Sequence, residues 1–175
     1  PSAPTEDDAN APIYDVTSSG STGGQVTPIF YQLNDVFIPL YYYYKPANNN
    51  DDLKEEVALH NFTLYYDQAT DFNGSTMTLH LRHKIQDFDE EDNKERTSRA
   101  YEFRHFSLAA PLYAYKDVNG GKNPDKIVIE FEQNTYNAEY NEDNVKNETY
   151  EIDYKTVVEN YNKLVGNTSG SEVTE

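Results

Sequence analysis

Apolar and polar residues alternate with a period of two along much of the middle of this chain. Four segments show the pattern: 62–66, 76–85, 127–132 and 150–154. In the second of them, Met77, Leu79 and Leu81 fall on one side of an extended chain, while His80 and Arg82 fall on the other. This pattern is typical of a strand in an antiparallel sheet that has one face in the core and one in water.

Two aromatic stretches predict strands with irregularities. Residues 30–44 are apolar almost throughout but contain Pro39, so we expect either two short strands or one kinked strand there. Residues 98–115 alternate until Phe106, where the phase changes. This change predicts a bulge near His105.

Turn and cap signals lie between and after these segments. Asn73 and Asn119 are each followed by glycine, and both pairs predict β-hairpins because such residues accept the positive φ of tight turns. Thr156 and Glu159 form a capping-box pattern, and Gly166 is a stop signal. They predict one helix, with continuation of the preceding strand as the alternative.

The succession of short strands without alternating helices favours an all-β fold. We expect an antiparallel β-sandwich of the immunoglobulin-like or jelly-roll kind, with at most one short C-terminal helix. The packed domain is predicted over residues 28–165. Residues 1–27 are predicted to form an extended polar and acidic N-terminal arm, and residues 166–175 a polar tail.

Candidate contact residues lie in the arm and in the first aromatic stretch. An apolar island in the arm could add as a strand to the sheet edge of a neighbouring subunit. The tyrosine run cannot point all its rings inward, because successive side chains of a strand alternate between faces. Its outward rings would form a contact surface or pack under a loop. The candidate interface residues are Ile13, Tyr14, Val16, Tyr41, Tyr42, Tyr43 and Tyr44.

Composition narrows the compartment and the partners. The chain has 31 acidic and 14 basic residues and a net charge of −17, which opposes nucleic-acid binding. It has no cysteine and no long apolar run, so neither a disulfide framework nor a transmembrane segment is expected. Asn-x-Ser/Thr sequons favour N-linked glycans and a secreted, extracellular or cell-surface location. The preferred sequon is Asn73, at a predicted hairpin tip, and the others are Asn61, Asn147 and Asn167.

No pattern points to catalysis, so we expect no catalytic residues and no enzymatic activity. Cysteine and the G-x-S-x-G elbow are absent, and His80 and His83 would point to opposite faces of one strand. An acidic loop with Asp87, Asp89 and Glu91 offers hard oxygen ligands that suit calcium. A solvated turn is the alternative, and no other cofactor is expected.

Two function classes fit these features. The first is a secreted structural subunit of an extracellular filament, pilus-like fibre, surface layer or capsid-like assembly. In this case the sandwich would contact copies of itself and the arm would add a strand to a neighbour. The alternative is a surface-exposed carbohydrate-binding module that uses exposed tyrosines and a structural calcium ion.

Overall fold

The architecture is described by a computed structural model for residues 8–19 and 24–169, with side chains described for 8–17 and 24–166. The remainder of the predicted arm and of the predicted tail lies outside the described residues. Within the described part the chain forms ten strands and four helices. The strands are β1 (Ser18–Ser19), β2 (Gln25–Val26), β3 (Ile29–Gln32), β4 (Asp35–Tyr44), β5 (His60–Tyr65), β6 (Phe72–Asn73), β7 (Thr76–Ile85), β8 (Ser98–Ser107), β9 (Lys126–Gln133) and β10 (Lys146–Asp153). The helices are α1 (Asn50–Leu59), α2 (Glu90–Lys94), α3 (Ala109–Val118) and α4 (Tyr154–Ser169).

The strands form two main sheets. The larger has the order β10-β9-β7-β5, with β6 paired to the start of β7, and the smaller has the order β3-β4-β8. Every pairing between the described strands is antiparallel except one, in which β7 and β9 run parallel with Leu79 opposite Ile129. The expectation of an entirely antiparallel arrangement is wrong at this pair. The chain leaves the larger sheet after β7, forms β8 in the smaller sheet and returns through α3 before β9.

The period-two pattern correctly predicts the inner face of the larger sheet. Met77, Leu79 and Leu81 of β7 are fully buried, and Ile129 of β9 lies beside them in the same core. The core also contains the even-numbered apolar residues of β4, such as Ile38. The two sheets therefore share a single hydrophobic core.

β4 passes through Pro39 as one continuous strand and pairs with β8 along its whole length. On its other edge, β3 pairs with β4 only as far as Phe37, and the backbone N–H of Tyr41 donates to the carbonyl of Asp15. Backbone groups at every second residue point to the same edge of a strand. Pro39 therefore faces the gap between these two partners, where its missing N–H breaks no ladder bond.

The described N-terminal segment bridges the two sheets. The backbone N–H of Tyr14 donates to the carbonyl of Tyr41 in the smaller sheet, and that of Ile13 donates to the carbonyl of Glu132 in the larger, both at 2.8 Å. Ile13 and Val16 are each 1% exposed. The apolar island of the predicted arm thus packs into the core of its own chain.

The second half of the predicted bulged strand is a helix. β8 pairs with β4 in continuous register from Ser98 to Ser107, and α3 begins at Ala109. The predicted bulge near His105 is therefore wrong, because β8 alternates regularly with aromatic residues on both faces: Tyr101 and Phe103 point outward, and Phe106 packs against the core.

The predicted hairpin at Asn119 is also wrong. Gly120 and Gly121 have positive φ, and the N–H of Gly121 donates to the carbonyl of Lys116 in the last turn of α3. The glycines therefore end a helix, which requires the same backbone freedom as a hairpin turn.

The predicted fold class is confirmed in part. A mostly β fold with two sheets and a C-terminal helix is confirmed. The all-β class is too narrow, because α1, α2 and α3 are present and the sheets are not closed. α4 begins after Asp153, whose carboxylate accepts hydrogen bonds from the N–H and hydroxyl of Thr156, and it continues through the predicted stop at Gly166.

Candidate functional site

Aromatic rings cover the outward side of the smaller sheet. The even-numbered residues of β4 fill the core, so its odd-numbered residues and their partners on β8 point outward. The register places Tyr41 opposite Tyr101, Pro39 opposite Phe103 and Phe37 opposite His105. We call this surface the aromatic face, and it consists of Tyr14, Phe37, Tyr41, Tyr43, Tyr101 and Phe103.

The rings of the aromatic face contact one another. The ring centroids of Tyr41 and Tyr101 are 4.5 Å apart, and those of Tyr101 and Phe103 are 5.8 Å apart with a nearly perpendicular arrangement. Tyr14 packs on the same group, with its centroid 6.0 Å from that of Tyr43. The guanidinium of Arg99 lies 4.7 Å from the centre of the Tyr14 ring, within the range of a cation–π contact.

The aromatic face is open at one end and enclosed at the other. Tyr101 is 42% exposed and Phe103 is 40% exposed, whereas Tyr43 is only 6% exposed. Beside Tyr43 lies a cavity of about 300 Å³. Its lining consists of Tyr43, Asn93, Lys94, Arg96, Thr97, Tyr136, Asn137, Ala138 and Glu139. We call it the terminal cavity, and together with the aromatic face it forms the candidate site.

Side-chain amides hold the loop that closes the terminal cavity. The side-chain oxygen of Asn134, a buried residue, accepts hydrogen bonds from the backbone N–H groups of Tyr136 and Asn137. Asn93 at the end of α2 donates from Nδ2 to the carbonyl of Ala138 at 3.1 Å. These bonds fix the loop relative to α2, so the cavity has a defined wall.

A buried ion pair lies beneath the terminal cavity. Arg96 donates from Nε to Oε1 of Glu56 at 2.8 Å and from Nη2 to Oε2 at 3.3 Å. The backbone N–H of Lys45 also donates to the Glu56 carboxylate. Hydrogen bonds from His60 and Arg96 lower the pKa of Glu56 to about 2 in spite of its burial.

Two histidines continue this buried chain of hydrogen bonds. Nδ1 of His83 lies 2.9 Å from the carbonyl of Pro12, which can only accept, so His83 donates there and its Nε2 accepts from Nδ1 of His60 at 2.8 Å. Nε2 of His60 lies 3.0 Å from the Glu56 carboxylate, which also only accepts. His60 therefore links the ring of His83 to the carboxylate of Glu56. Burial, together with the charge of His60, lowers the pKa of His83 to about 3.

The outward side of the larger sheet carries a second ionic cluster. His80 contacts Glu130 through Nδ1 at 2.6 Å and Asp71 through Nε2 at 3.0 Å. Arg82 joins Glu130 to Glu132, with N–O distances of 2.8 and 2.7 Å. These contacts pair opposite charges with one another.

We expect His80 to titrate above the ordinary histidine pKa of 6.5, because its hydrogen bond to Glu130, supported by that to Asp71, raises its pKa. Replacing Glu130 with glutamine should lower that pKa measurably in an NMR titration of the histidine ring signals. A His80 pKa at or below 6.5 in the unchanged protein would contradict this assignment.

The structure places the sequon residues at different kinds of position. Asn73 is exposed at the end of β6, next to a turn in which Gly74 has φ of 59°. Asn61 and Asn147 are exposed on β5 and β10. Asn167 lies in the last turns of α4, and its side chain lies outside the described residues.

The structure does not bring the three predicted calcium ligands together. Asp89 caps α2 by accepting the N–H groups of Glu91 and Asp92, and Glu91 forms an exposed ion pair with Lys94. Asp87 has a positive φ of 52° at the turn before the helix. Across residues 8–19 and 24–169, no group of three or more acidic or histidine side chains is arranged to hold a metal ion.

The predicted interface residues divide between the core and the surface. Ile13, Val16 and Tyr42 are buried within the chain, so they are not available to a partner in this structure. Tyr43 is 6% exposed and lines the terminal cavity, and the other candidates are partly buried. Tyr14, Tyr41 and Tyr43 belong to the aromatic face, whereas Tyr44 packs against the core.

Sequence reasoning missed the residues around the terminal cavity. Arg96 and Glu56 are 40 positions apart, and neither belongs to a recognisable motif. The one local signal was the alternation of Tyr101 and Phe103, which places two rings on one face of β8 but does not reveal their partner strand.

Comparisons with known proteins show similarity to solved structures. No protein-family model matches the chain, and no curated protein matches it. The chain is similar to a crystal structure of a candidate lipoprotein from Bacteroides fragilis, with 29% sequence identity and a TM-score of 0.77. The similarity covers 86% of this chain and 65% of that one, so this chain spans less than two thirds of that protein. The two proteins share an architecture over most of the fold described above.

None of the helices in the described part of the chain is both long enough and apolar enough to cross a membrane.

Proposed function

We propose that this chain is a surface-associated carbohydrate-binding protein that holds a glycan against its aromatic face. The observation that carries the proposal is the exposure of the neighbouring rings of Tyr101 and Phe103. Tyr101 contacts Tyr41, and the same side of β4 leads on to the terminal cavity. We propose a binding role without catalysis.

The chemistry of the aromatic face suits a sugar. A pyranose ring has apolar C–H faces and a polar rim, and aromatic rings can bury the former while polar groups bond the latter. On this surface polar side chains flank the exposed rings, since Arg99 and His105 lie on either side of Tyr101 and Phe103 on the same face of β8. Tyrosine hydroxyls add further hydrogen-bonding groups.

The similarity to the Bacteroides candidate lipoprotein supports surface association. Exposed asparagines in N-glycosylation sequons are compatible with the same location, on the outer side of a membrane. A surface location would also expose the aromatic face to extracellular glycans.

Calorimetry with soluble chitotriose, cellotriose, mannotriose and laminaritriose tests the proposal. We expect at least one trisaccharide to bind, and Tyr101→Ala to weaken that binding about tenfold, which corresponds to ~1.4 kcal/mol. Tyr113→Ala is the matched control, because Tyr113 is 75% exposed on α3 and lies outside the aromatic face. Absence of binding to all four sugars, or equal effects of the two variants, would contradict the proposal.

A second candidate is the structural subunit, which the open edge of the smaller sheet favours. β8 is ten residues long and, among the described strands, pairs only with β4. A free strand edge can pair with another chain. Mass photometry and negative-stain microscopy separate the two candidates, because a subunit should form high-mass species and a binding protein should bind sugar without forming them.

Deletion of residues 1–27 does not serve as a test of assembly. Ile13 and Val16 lie in the core of their own chain, so the deletion would open that core. Loss of assembly would then follow from loss of folding.

A further inference from the structure

We propose that two copies of this chain pair along the open edge of β8 and form a closed dimer with two-fold symmetry. The two β8 strands run antiparallel, with Phe103 of one copy opposite Phe103 of the other. This dimer goes beyond the carbohydrate-binding role and does not depend on it. Two features of β8 support it, namely the direction of its backbone groups and the order of charges along it.

The odd-numbered residues of β8 direct their backbone groups to the open edge. On β4, the N–H and C=O groups of Tyr41 bond to the N-terminal segment, so odd-numbered residues of β4 face away from β8. The hydrogen-bonded pairs between β4 and β8 are therefore the even-numbered ones, such as Ile38 and Arg104. Among the described strands β8 pairs only with β4, so the backbone groups of Tyr101 and Phe103 are available to another strand.

Two charged side chains on the inner side of β8 make this edge selective. Glu102 and Arg104 form an ion pair within the chain, and each side chain is 29% exposed. An inward-pointing charge normally protects a strand edge, because pairing with another strand would bury it. A second copy of β8 can place an opposite charge beside each of these side chains, so the protection does not extend to that partner.

One two-fold register brings these opposite charges together. With Phe103 on the axis, Glu102 of each copy lies opposite Arg104 of the other. Moving the axis to Glu102 or Arg104 places two like charges opposite each other, which destabilises a strand pair. Moving it to Tyr101 or His105 leaves both charges opposite uncharged side chains. The order of residues along β8 therefore favours the register centred on Phe103.

The same register suits the backbone. Its hydrogen-bonded pairs are Phe103 with Phe103 and Tyr101 with His105, which are the odd-numbered residues whose backbone groups face the edge. Glu102 and Arg104 then form non-hydrogen-bonded pairs, in which side chains approach more closely.

The local charge also favours pairing at β8. The chain has a net charge of −17, so two copies repel each other over most of their surfaces. The ten residues of β8 include Arg99 and Arg104 but only one acidic residue, Glu102. Two β8 edges therefore meet with less repulsion than two acidic surfaces would.

The dimer would join the aromatic faces of the two copies. A two-fold axis perpendicular to the sheet keeps the outward sides of both copies on the same side. Tyr101 and Phe103 of the two copies would then lie on one continuous surface across the axis. A long glycan could contact rings of both copies there.

Sedimentation equilibrium on the full chain tests the dimer, and we expect a monomer–dimer equilibrium. Glu102→Arg places two arginines opposite each other at two symmetric positions, so the dissociation constant should rise at least about tenfold. Glu91→Arg is the matched control, because it makes the same charge change in an exposed ion pair on α2. A monomer up to millimolar concentration, or equal effects of the two variants, would overturn the proposal.

A mixture of two variants separates loss of pairing from loss of folding. Arg104→Glu alone should also be monomeric, because it places an acidic side chain opposite Glu102 of the second copy. An equal mixture of Arg104→Glu and Glu102→Arg should form a heterodimer, because each opposed pair again has opposite charges. If both variants remain folded by circular dichroism and their mixture does not associate, the register is wrong.

Hydrogen exchange of the unchanged protein gives a readout that requires no variant. It decides the question if Arg104→Glu does not fold, since Arg104 also donates to the carbonyl of His60. The N–H groups of Tyr101 and Phe103 are bonded in the dimer, so their exchange should slow at least about tenfold between dilute and concentrated protein. The N–H of Arg104, which faces β4 in both states, should change less. Equal changes at all three positions would overturn the proposal.

The outcomes separate this inference from the proposed function. A monomer that binds sugar would overturn the dimer and retain the carbohydrate-binding role. A dimer that binds none of the four sugars would retain the inference and overturn that role. Species larger than a dimer that persist in Glu102→Arg would overturn pairing through β8 and favour the structural subunit.

Discussion

Replacing Glu56 with glutamine should lower the free energy of unfolding by about 3 kcal/mol. The carboxylate accepts two hydrogen bonds from Arg96 and one from His60, and all three side chains are at most 9% exposed. Without the charge of Glu56, the guanidinium of Arg96 remains buried with no anion, and the ring of His60 loses its carboxylate partner. A buried charge that has lost its partner costs far more than a broken surface pair.

Glu55→Gln is the matched control, because Glu55 is exposed in the same helix, one position before Glu56. Urea unfolding of both variants measures the effect, and we expect Glu55→Gln to change stability by no more than about 0.5 kcal/mol. A loss of less than about 1 kcal/mol for Glu56→Gln would show that the ion pair is not buried as described. The double variant Glu56→Gln/Arg96→Met should be less damaging than the sum of its single changes, since it removes both charges.

The inner faces of the sheets could be predicted from the sequence because they depend on local alternation. Met77, Leu79 and Leu81 must share a face in any extended conformation, whatever strand lies beside them. The parallel partner of β7 could not be predicted in the same way. It depends on β8 joining the other sheet, which is a property of long-range packing.

The candidate site was predictable to a similar extent. The alternation rule requires that half of the tyrosine run face outward, and Tyr41 and Tyr43 do so. The sequence could not show that Tyr101 lies opposite Tyr41, or that Ile13 fills the core of its own chain rather than that of a neighbour. A short apolar segment predicts burial, but the sequence does not show whether its own chain or a neighbouring chain buries it.

The ion pair between Glu56 and Arg96 could not be predicted from the sequence for a further reason. α1 has no apolar stripe, and its one buried side chain is Glu56. A helix that buries a carboxylate gives no amphipathic signal, because the periodic pattern assumes that the buried side is apolar.

We expect the protein to lose stability as the pH falls below about 6.5, with His83 and then Glu56 as the main causes. In the folded state the pKa of His83 is about 3, so His83 stays neutral over a range in which the unfolded chain, with an ordinary pKa of 6.5, binds a proton. Its contribution to stability is therefore present above pH 6.5 and is lost as the pH falls from there toward 3. Between pH 6.5 and 4.5 this one group should account for about 2 kcal/mol.

Glu56 extends the loss to lower pH. The pKa of Glu56 is about 2 in the folded state, and its ordinary value, which applies to the unfolded chain, is 4.5. Its contribution to stability is therefore present above about pH 4.5 and is lost as the pH falls from 4.5 to 2. His80 has the opposite sign, because its raised pKa favours the folded state at low pH and loses that effect as the pH rises through its folded value. His80 therefore acts above pH 6.5, where its contribution is lost as the pH rises, whereas His83 and then Glu56 lower the stability as the pH falls below 6.5.

Urea unfolding at a series of pH values measures this profile, and His83→Gln identifies its source. The variant is less stable at pH 7 because it changes the hydrogen bonds to Pro12 and His60, but its stability should fall less between pH 6.5 and 4.5. The slope, rather than the absolute stability, is the diagnostic quantity, since a purely structural role for His83 would lower the whole curve without flattening it. An unchanged slope in the variant would show that His83 is not the neutral buried base that its contacts with Pro12 and His60 require.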